Sequence, residues 1–600
     1  MKVQLINKPT YPSATIQVLH NRGIKDVQSY LDATMGSVNS PLALGEEVLH
    51  AGARMLMSHV AAEEDILIII DADCDGFTSS SLLINYLHDC FPYYVENHIQ
   101  WYLHDGKQHG LSDCYEFAKE YKMIILPDSS SNDFDEHYFL NRDGIDVLVL
   151  DHHEADHISD NAIIINNQLS NYPNKELSGV GVVWQFCRYL DVIGGNDYAN
   201  NYLDLVALGN MADMMSLCSI ETKTLIFEGF KERNIKNPFI YSMAAKNDFS
   251  LNKPDYKPSS NNGLKITPMG AAFFIAPLVN AIVRSGTLEE KEVVFESMIN
   301  FKAFNPILSN KRGHKLGEME RVVDQAIRTC TNVKNRQTRA EEAGMEKLET
   351  LIKERNLLNH KVLLFLLEPN EVDKNIAGLI ANKIANKYQR PTAVLMKVID
   401  ADKKVSYQGS ARGYGDMNFK DICAAAPGCL YAEGHQGAFG LGLGYEETEP
   451  EIRGEYLYQF IEHTDDVLKD LSAEPSYFVD YIWNYDEIDG NKVIEIAQMN
   501  DYWGKDLSRS YVYITNIPVN ENTFKVMKSN TLKYDCPNVS IIQFGGTDEE
   551  IEQFSTHPCK INAVCKCVIN EWNYQLNPQL MLENYEVVKE QPSIISKWGF

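Results

Sequence analysis

The sequence predicts an α/β fold: a parallel sheet early in the chain, a second α/β unit behind it and a β-rich end. Three observations predict this. Short apolar runs alternate with helical stretches from Ile16 to Ile240. The alternation returns at Lys361, after a long charged stretch without proline. Beyond about residue 475 the periodicity becomes that of strands.

The elements follow in order. Asp65–Asp71 (DILIIID) is an apolar run that ends in an acid, and Met123–Asp128 (MIILPD) and Asp146–Asp151 (DVLVLD) repeat the design. Ala162–Asn166 (AIIIN) is a fourth run. Runs this short, apolar at every position, suit strands buried on both faces. Phe77–Leu87 and Gly179–Leu190 have helical spacing and suit the connections between them. Residues 241–270, centred on KPDYKPSSNNG, read as a loop or insertion. Residues 313–357 are rich in Glu, Lys, Arg and Ala. They predict a helix, broken at most once, of about 65 Å at 1.5 Å per residue, long enough to join two domains. Lys361–Glu368 (KVLLFLLE) opens the second unit, with a helix at Asn375–Tyr388 and strands near Thr392–Val398 and Val405–Ser410. The Gly-rich stretch Gly434–Gly444 closes it. Alternation in Ser510–Ile517 and Cys559–Ile569 predicts a small terminal β-barrel. The expected boundaries are 1–240, 241–357, 358–450 and 475–600.

Composition bounds the function. The chain has 600 residues, 44% of them hydrophobic and 23% charged, which excludes a wholly disordered chain. Lys+Arg 55 against Asp+Glu 83 gives a net charge of −28, so polyanion binding has to rest on local basic groups. No run approaches the roughly 18 apolar residues of a membrane span, and residues 1–30 hold no apolar signal core. The expectation is a soluble, cytoplasmic protein with no membrane partner. Twelve cysteines lack a framework or zinc-finger spacing and read as reduced thiols.

Chemistry concentrates at strand ends. The first run ends in Asp71, Asp73 and Asp75 (DADCDG), the second in Asp128, the third in Asp151, His152 and His153 (DHH), and Asp213 follows in ALGNMADMMSL. The carboxyl ends of parallel strands share one edge, so these groups converge. Crowded carboxylates repel one another unless cations neutralise them. Oxygen ligands mixed with imidazole suit Mn²⁺ or Mg²⁺. Two such ions make a site for displacement at phosphorus, and the reading is phosphoester hydrolysis. A calcium loop is disfavoured, because the twelfth residue from Asp71 is Leu82 rather than Glu.

The order and spacing of these motifs resemble the DHH phosphoesterases and, within them, the RecJ single-strand-specific exonucleases. The resemblance runs over most of the chain. It is carried by VLHNRGIKDVQSYLD, IIIDADCDGFTSS, LDHHEAD, DLVALGNMADMMSL and APLVNAIVRSG. It continues through NIAGLIANKIANKYQRPTAVL, GSARG and EGHQGAFGLGLG, which are similar to the DHH-associated domain, and INAVCKCVINEWNYQLNPQLMLENYEV, similar to an oligonucleotide-binding barrel.

The resemblance implies a 5′-to-3′ exonuclease on single-stranded DNA, acting in repair or recombination with two Mn²⁺ or Mg²⁺ ions. It implies Asp71, Asp73, Asp75, Asp128, His152 and Asp213 as metal ligands, with Asp128 bridging. Asp151 would orient the histidines and His153 would face the scissile phosphate. Asn280, Arg284, Ser410, Arg412 and His435 would bind phosphates, and Trp572 and Tyr574 are candidates for base stacking. Beyond the DNA strand, a single-strand-binding protein or a helicase are the implied partners, for a monomeric chain. Three features depart from the family pattern. Ser129 and Ser130 stand where Cys-Gly is usual, Glu433 replaces a glycine, and the expected basic residue before a Gly-Tyr-Gly-like stretch falls at His104, near Lys107. The alternatives are a RecJ-derived DNA-binding or replication scaffold without metals, and a DHH phosphodiesterase of short oligonucleotides.

Overall fold

The computed structural model describes the chain except residues 107, 112, 248–263, 265, 401–403, 416, 445–454, 472–475, 573–574 and 589–600, and the side chains of 571–572. Lys107, Tyr574, the Trp572 side chain and most of the expected 241–270 loop therefore lie outside the described residues. The chain divides into two compact units. One comprises Met1–Asn280, Leu288–Arg328 and Pro475–Phe600, and the other Ala281–Thr287 and Thr329–Glu474.

The first unit is built on five parallel strands: β1 (Ile66–Ile70), β2 (Ile99–Leu103), β3 (Met123–Pro127), β4 (Asp146–Asp151) and β5 (Ile163–Asn166). Their order is β2-β1-β3-β4-β5. Every residue of β1 and β3 is buried, as expected where helices cover both faces. β2 has no counterpart among the predicted strands. It is an edge strand, largely half-buried, so it lacks the continuous apolar run that betrays its neighbours.

The helices α1 (Cys74–Cys90), α2 (Gly179–Gly194) and α3 (Leu203–Ala212) pack together beside this sheet. α2 follows the last strand, so it is not a crossover. The helix Pro268–Ser285 is long and apolar enough to cross a membrane by length and composition, and 56% of that window is buried. Asn280 and Arg284 interrupt its apolar character, which is why the sequence showed no uniform run.

The long connecting helix is α4 (Val322–Glu354, 33 residues), about 50 Å long. It starts later than expected, because residues before it form a hairpin, Pro306–Leu308 paired with Met319–Arg321. Gly313 and Gly317 lie in this hairpin's loop with φ of 82° and 79°, a conformation that interrupts a helix.

The second unit holds β6 (Leu363–Leu367), α5 (Ala377–Tyr388), β7 (Thr392–Ile399), β8 (Val405–Arg412), β9 (Cys429–His435) and β10 (Ala438–Gly444). The sheet order is β9-β10-β8-β7-β6. The Gly-rich stretch Gly434–Gly444 is thus the end of β9, a turn and β10. A Cβ on Gly442 would lie 2.3 Å from the Tyr431 ring, so glycine there makes room for an aromatic neighbour.

The terminal region forms a seven-stranded mixed sheet from Tyr481–Asn484, Tyr511–Val519, Phe524–Met527, Thr531–Asp535, Ser540–Gln543, Cys559–Trp572 and Gln575–Val587. Among the described residues no pairing joins its two edge strands, so barrel closure is not seen. Cys565 and Cys567 are both buried on one face. The first residues of the chain dock here. Lys2–Leu5 pairs with Ser476–Val479, and Arg22 grips buried Asp480 through both carboxylate oxygens at 2.7 and 2.9 Å.

Candidate metal centre

Acids sit where the apolar strands emerge from the sheet. β1 delivers Asp71, β3 delivers Asp128 and β4 ends at Asp151. β1 and β3 are neighbours at the point where strand order reverses, the place where such sheets form a crevice. Asp73 caps α1, its carboxylate accepting from Gly76 N at 2.9 Å. Asp75, two residues later, faces the start of α2 and accepts from Gly179 N at 2.7 Å and Ser178 Oγ at 3.2 Å. A helix N-terminus favours negative charge, which steadies this buried carboxylate. Asp213 follows the last residue of α3.

The structure brings these side chains together in three overlapping groups. Asp71, Asp73 and Asp128 form one, Asp75, His152 and Asp213 another, and Asp128, His152 and His153 a third. Within each group the potential ligand atoms lie within 4.8 Å of one another. Asp128 and His152 each belong to two groups, and of the two only the carboxylate has two oxygens with which it could be shared. Two glycines make this packing feasible. A Cβ on Gly179 would sit 2.2 Å from Asp128 Oδ1, and one on Gly209 would sit 2.2 Å from Asp75 Oδ1.

The electrostatics follow from the crowding. Burial, then repulsion from Asp75, Asp73, Asp71 and Asp213, holds the Asp128 carboxyl well above the usual range. Burial and Asp73 push Asp75 up to about 7. Asp213 and Asp71 are raised as well, chiefly by burial. Burial and the neighbouring His153 lower His152 to about 4, so its ring is neutral and keeps a lone pair. His152 Nε2 lies 3.3 Å from Asp128 Oδ1 and 3.3 Å from Asp213 Oδ2. Both Nε2 and Asp128 Oδ1 are buried without a hydrogen-bond partner. Buried polar atoms are seldom left so. Hard oxygen donors with one neutral imidazole, aimed inward and unsatisfied, fit Mn²⁺ or Mg²⁺.

Asp151 acts on the other histidine. Its Oδ1 accepts from His153 Nδ1 at 2.8 Å and from His152 N at 2.7 Å, while Oδ2 accepts from Ser131 N at 3.1 Å. Burial alone would raise Asp151, but the bonds and charge of His153, with His152 and Ser131, hold it well below the usual range. His153 is half exposed, with one nitrogen fixed on Asp151 and its ring 4.4 Å from that of His152. Asn280 reaches the start of α1, its Oδ1 accepting from Cys74 N at 3.1 Å.

His109 was not singled out by the sequence reading. Its Nδ1 lies 2.9 Å from both oxygens of Asp71. His104, the basic residue the motif pointed to, is buried and bonded to Asp113 at 2.8 Å, so it does not face the crevice. The available signal was Gly110, whose φ of 66° turns the chain beside His109.

The second unit carries a basic platform. Ser410 and Arg412 lie two residues apart on one face of β8, both against Gly378 near the start of α5. A Cβ on Gly378 would lie 2.4 Å from Arg412 Nη2 and 3.2 Å from Ser410 Oγ. Burial and Arg284 lower the Arg412 pKa. Burial lowers Lys334 too, with Lys383 and Arg284 adding to it against the pull of Glu341. Lys383 is ion-paired to Glu341 and Lys334 lies 3.7 Å from it, while Arg284 acts electrostatically on both Lys334 and Arg412. Lys334 and Lys383 were not among the sequence candidates. His435 ends β9, opposite Ala438, which is itself opposite Arg412.

Residues 65–210 match the model of the DHH family, N-terminal domain. The chain is 30% identical to YorK, an SPbeta prophage protein of Bacillus subtilis strain 168 provisionally named as a single-strand DNA-specific exonuclease. That alignment covers 98% of this chain and 99% of the relative. The single-stranded-DNA-specific exonuclease RecJ of the same organism is 23% identical over 89% of this chain and 62% of its own length. Among solved structures, RecJ of Thermus thermophilus in complex with Mn²⁺ superposes with a TM-score of 0.70 at 15% identity, covering 98% of this chain and 80% of that one.

Proposed function

The chain belongs to the DHH family and, within it, to the RecJ-like single-strand-specific exonucleases, and on that premise we propose that it hydrolyses phosphodiester bonds of single-stranded DNA with two divalent cations. One observation carries the metal-dependent part: Asp128 Oδ1 and His152 Nε2 face each other at 3.3 Å, buried and without hydrogen-bond partners, among raised carboxylates. The full-length likeness to proteins named for this activity supports the substrate.

Asp71, Asp73, Asp75, Asp128, His152 and Asp213 would hold the ions, with Asp128 shared between them. Bound Mn²⁺ or Mg²⁺ supplies a Lewis acid for phosphoryl oxygens and a more acidic water. The remaining work falls to the protein. Asp151 fixes the His153 ring, so that its other nitrogen can meet a non-bridging phosphate oxygen. The Asp75 contact with the start of α2 keeps its carboxylate from turning away. Asn280 ties the start of α1 and presents its amide to phosphate. Arg284, Ser410, Arg412 and His435 bind phosphates of the strand, Arg412 through its planar fork. The 5′-to-3′ polarity and the role in repair or recombination rest on the resemblance to the RecJ exonucleases alone. The metal-free scaffold reading is disfavoured, because each acidic and histidine position of the centre is filled.

The test is digestion of a single strand labelled at the 5′ or the 3′ end, with Mn²⁺ and with EDTA. The expected result is release of short 5′ products, in Mn²⁺ only. A strand left intact in Mn²⁺ would overturn the reading, and 3′ release would overturn the polarity alone.

A further inference from the structure

The hairpin before α4 is a feature that the catalytic reading does not use. In a chain of net charge −28, residues 297–317 contain no Asp or Glu. They carry Lys302 and, within five positions at the hairpin loop, Lys311, Arg312, His314 and Lys315. Acids make up 83 of 600 residues, so a run of 21 without one is a local reversal of the protein's charge.

The base of the hairpin is firmly tied. Ser309 N donates to Glu318 O at 2.8 Å across its mouth. Glu320, whose side chain is only 5% exposed, accepts from Arg328 Nη1 and Nη2 at 2.9 and 2.5 Å and from Gln325 at 3.0 Å. Arg328 also reaches Asn310 at 2.6 Å. Gln325 and Arg328 belong to α4, so the helix holds the loop at a set angle. At the tip, Lys311 lies 3.4 Å from Glu320, while no ion pair among the described residues engages Arg312 or Lys315. Leu316 beside them is fully exposed, and Leu308 and Met319 are exposed at 68% and 50%.

A rigid mount, four basic residues with no acid among them in sequence, and the exposed Leu308, Leu316 and Met319 set this turn apart from the rest of an acidic chain, though Glu320 and Glu318 touch Lys311 and the Lys315 backbone. We propose that the 311–316 loop is a second contact for the DNA strand, its cations on backbone phosphates and Leu316 against a base. This deepens the exonuclease reading and rests on it. A flexible polyanion suits an exposed tip, since phosphate attraction is sequence-independent and needs no groove.

The experiment compares the full-length protein with its Lys311→Ala/Arg312→Ala/Lys315→Ala variant, using a labelled 40-nucleotide strand in EDTA so that nothing is cut. The variant is expected to bind more than tenfold more weakly at low salt. Its log–log salt slope should be shallower by about 2, from roughly 0.7 per lost phosphate contact. In Mn²⁺ its KM should rise while kcat is unchanged, because no loop residue belongs to the metal centre. The charge-preserving variant Lys311→Arg/Arg312→Lys/Lys315→Arg should behave as the wild type. Unchanged affinity and slope overturn the proposal. So does loss of polyglutamate binding without loss of strand binding, which would give the loop to an acidic protein. Wild-type protein that neither binds nor cuts the strand ends the exonuclease reading itself, a result separable from any effect of the loop variant.

Discussion

The metal centre and the basic platform are opposites in charge and alike in construction. In the first, carboxylates from three strand ends and two helices are crowded until burial and mutual repulsion raise Asp75 and Asp128. In the second, Arg284, Lys334, Lys383 and Arg412 are crowded until the same two effects lower Arg412 and Lys334. Each cluster concentrates like charge. Under the proposed function, the repulsion within it would be relieved by ligands of opposite sign, divalent cations in one case and, beyond the partial relief from Glu341, phosphates in the other. They differ in precision. The metal centre is held by close-packed glycines and helix-end bonds, whereas the platform relies on long, partly exposed side chains.

The strongest break of this comparison is Asp128→Asn. It should abolish Mn²⁺ binding in metal analysis and lower the cutting rate by about a thousandfold or more, in line with losing a shared ligand. Because it also removes repulsion, the metal-free variant should melt higher than the wild type, while Mn²⁺ should raise only the wild-type Tm. A lower metal-free Tm would mean that repulsion is not what shapes the centre.

Next in size is Gly179→Ala, whose methyl would displace Asp128. Metal affinity should fall about 10–100-fold, as when a ligand's support is disturbed. Retained wild-type affinity by calorimetry would show that the packing is looser than the distances say. Arg412→Ala should raise KM about tenfold or more, the usual weight of a charged hydrogen bond, with metal content unchanged. Should kcat fall and KM stay put, the platform would not be a binding surface.

The smallest effect sharpens the comparison. Ser130 adopts a φ of 77°, a region that favours glycine. Ser130→Gly should therefore stabilise the fold by about 0.5–1 kcal/mol in denaturant titration. A neutral or negative result would show that the Ser130 hydroxyl matters more than its backbone strain.

Much of this protein was legible before folding. Continuous apolar runs such as Ile66–Ile70 and Met123–Pro127 have one physical solution, burial on both faces, and an acid directly after such a run must lie at the sheet's edge. That is why Asp71, Asp128 and Asp151 could be read as neighbours from the sequence. The edge strand Ile99–Leu103 was not legible, because half-burial leaves a mixed pattern. The strands in the Gly-rich stretch were not legible either, since glycine placed to make room for an aromatic ring carries no strand signal in sequence.

The sequence by itself determined the alternation of strand and helix, the kinds of ligand and the sign of the charge at each strand end, because these depend on local pattern and side-chain chemistry. Only the tertiary structure decided that His109 and not His104 meets Asp71, that Lys334 and Lys383 gather at Glu341, and that a basic hairpin precedes the connecting helix. Those outcomes depend on distances between residues well separated in the chain, and sequence periodicity carries no record of them.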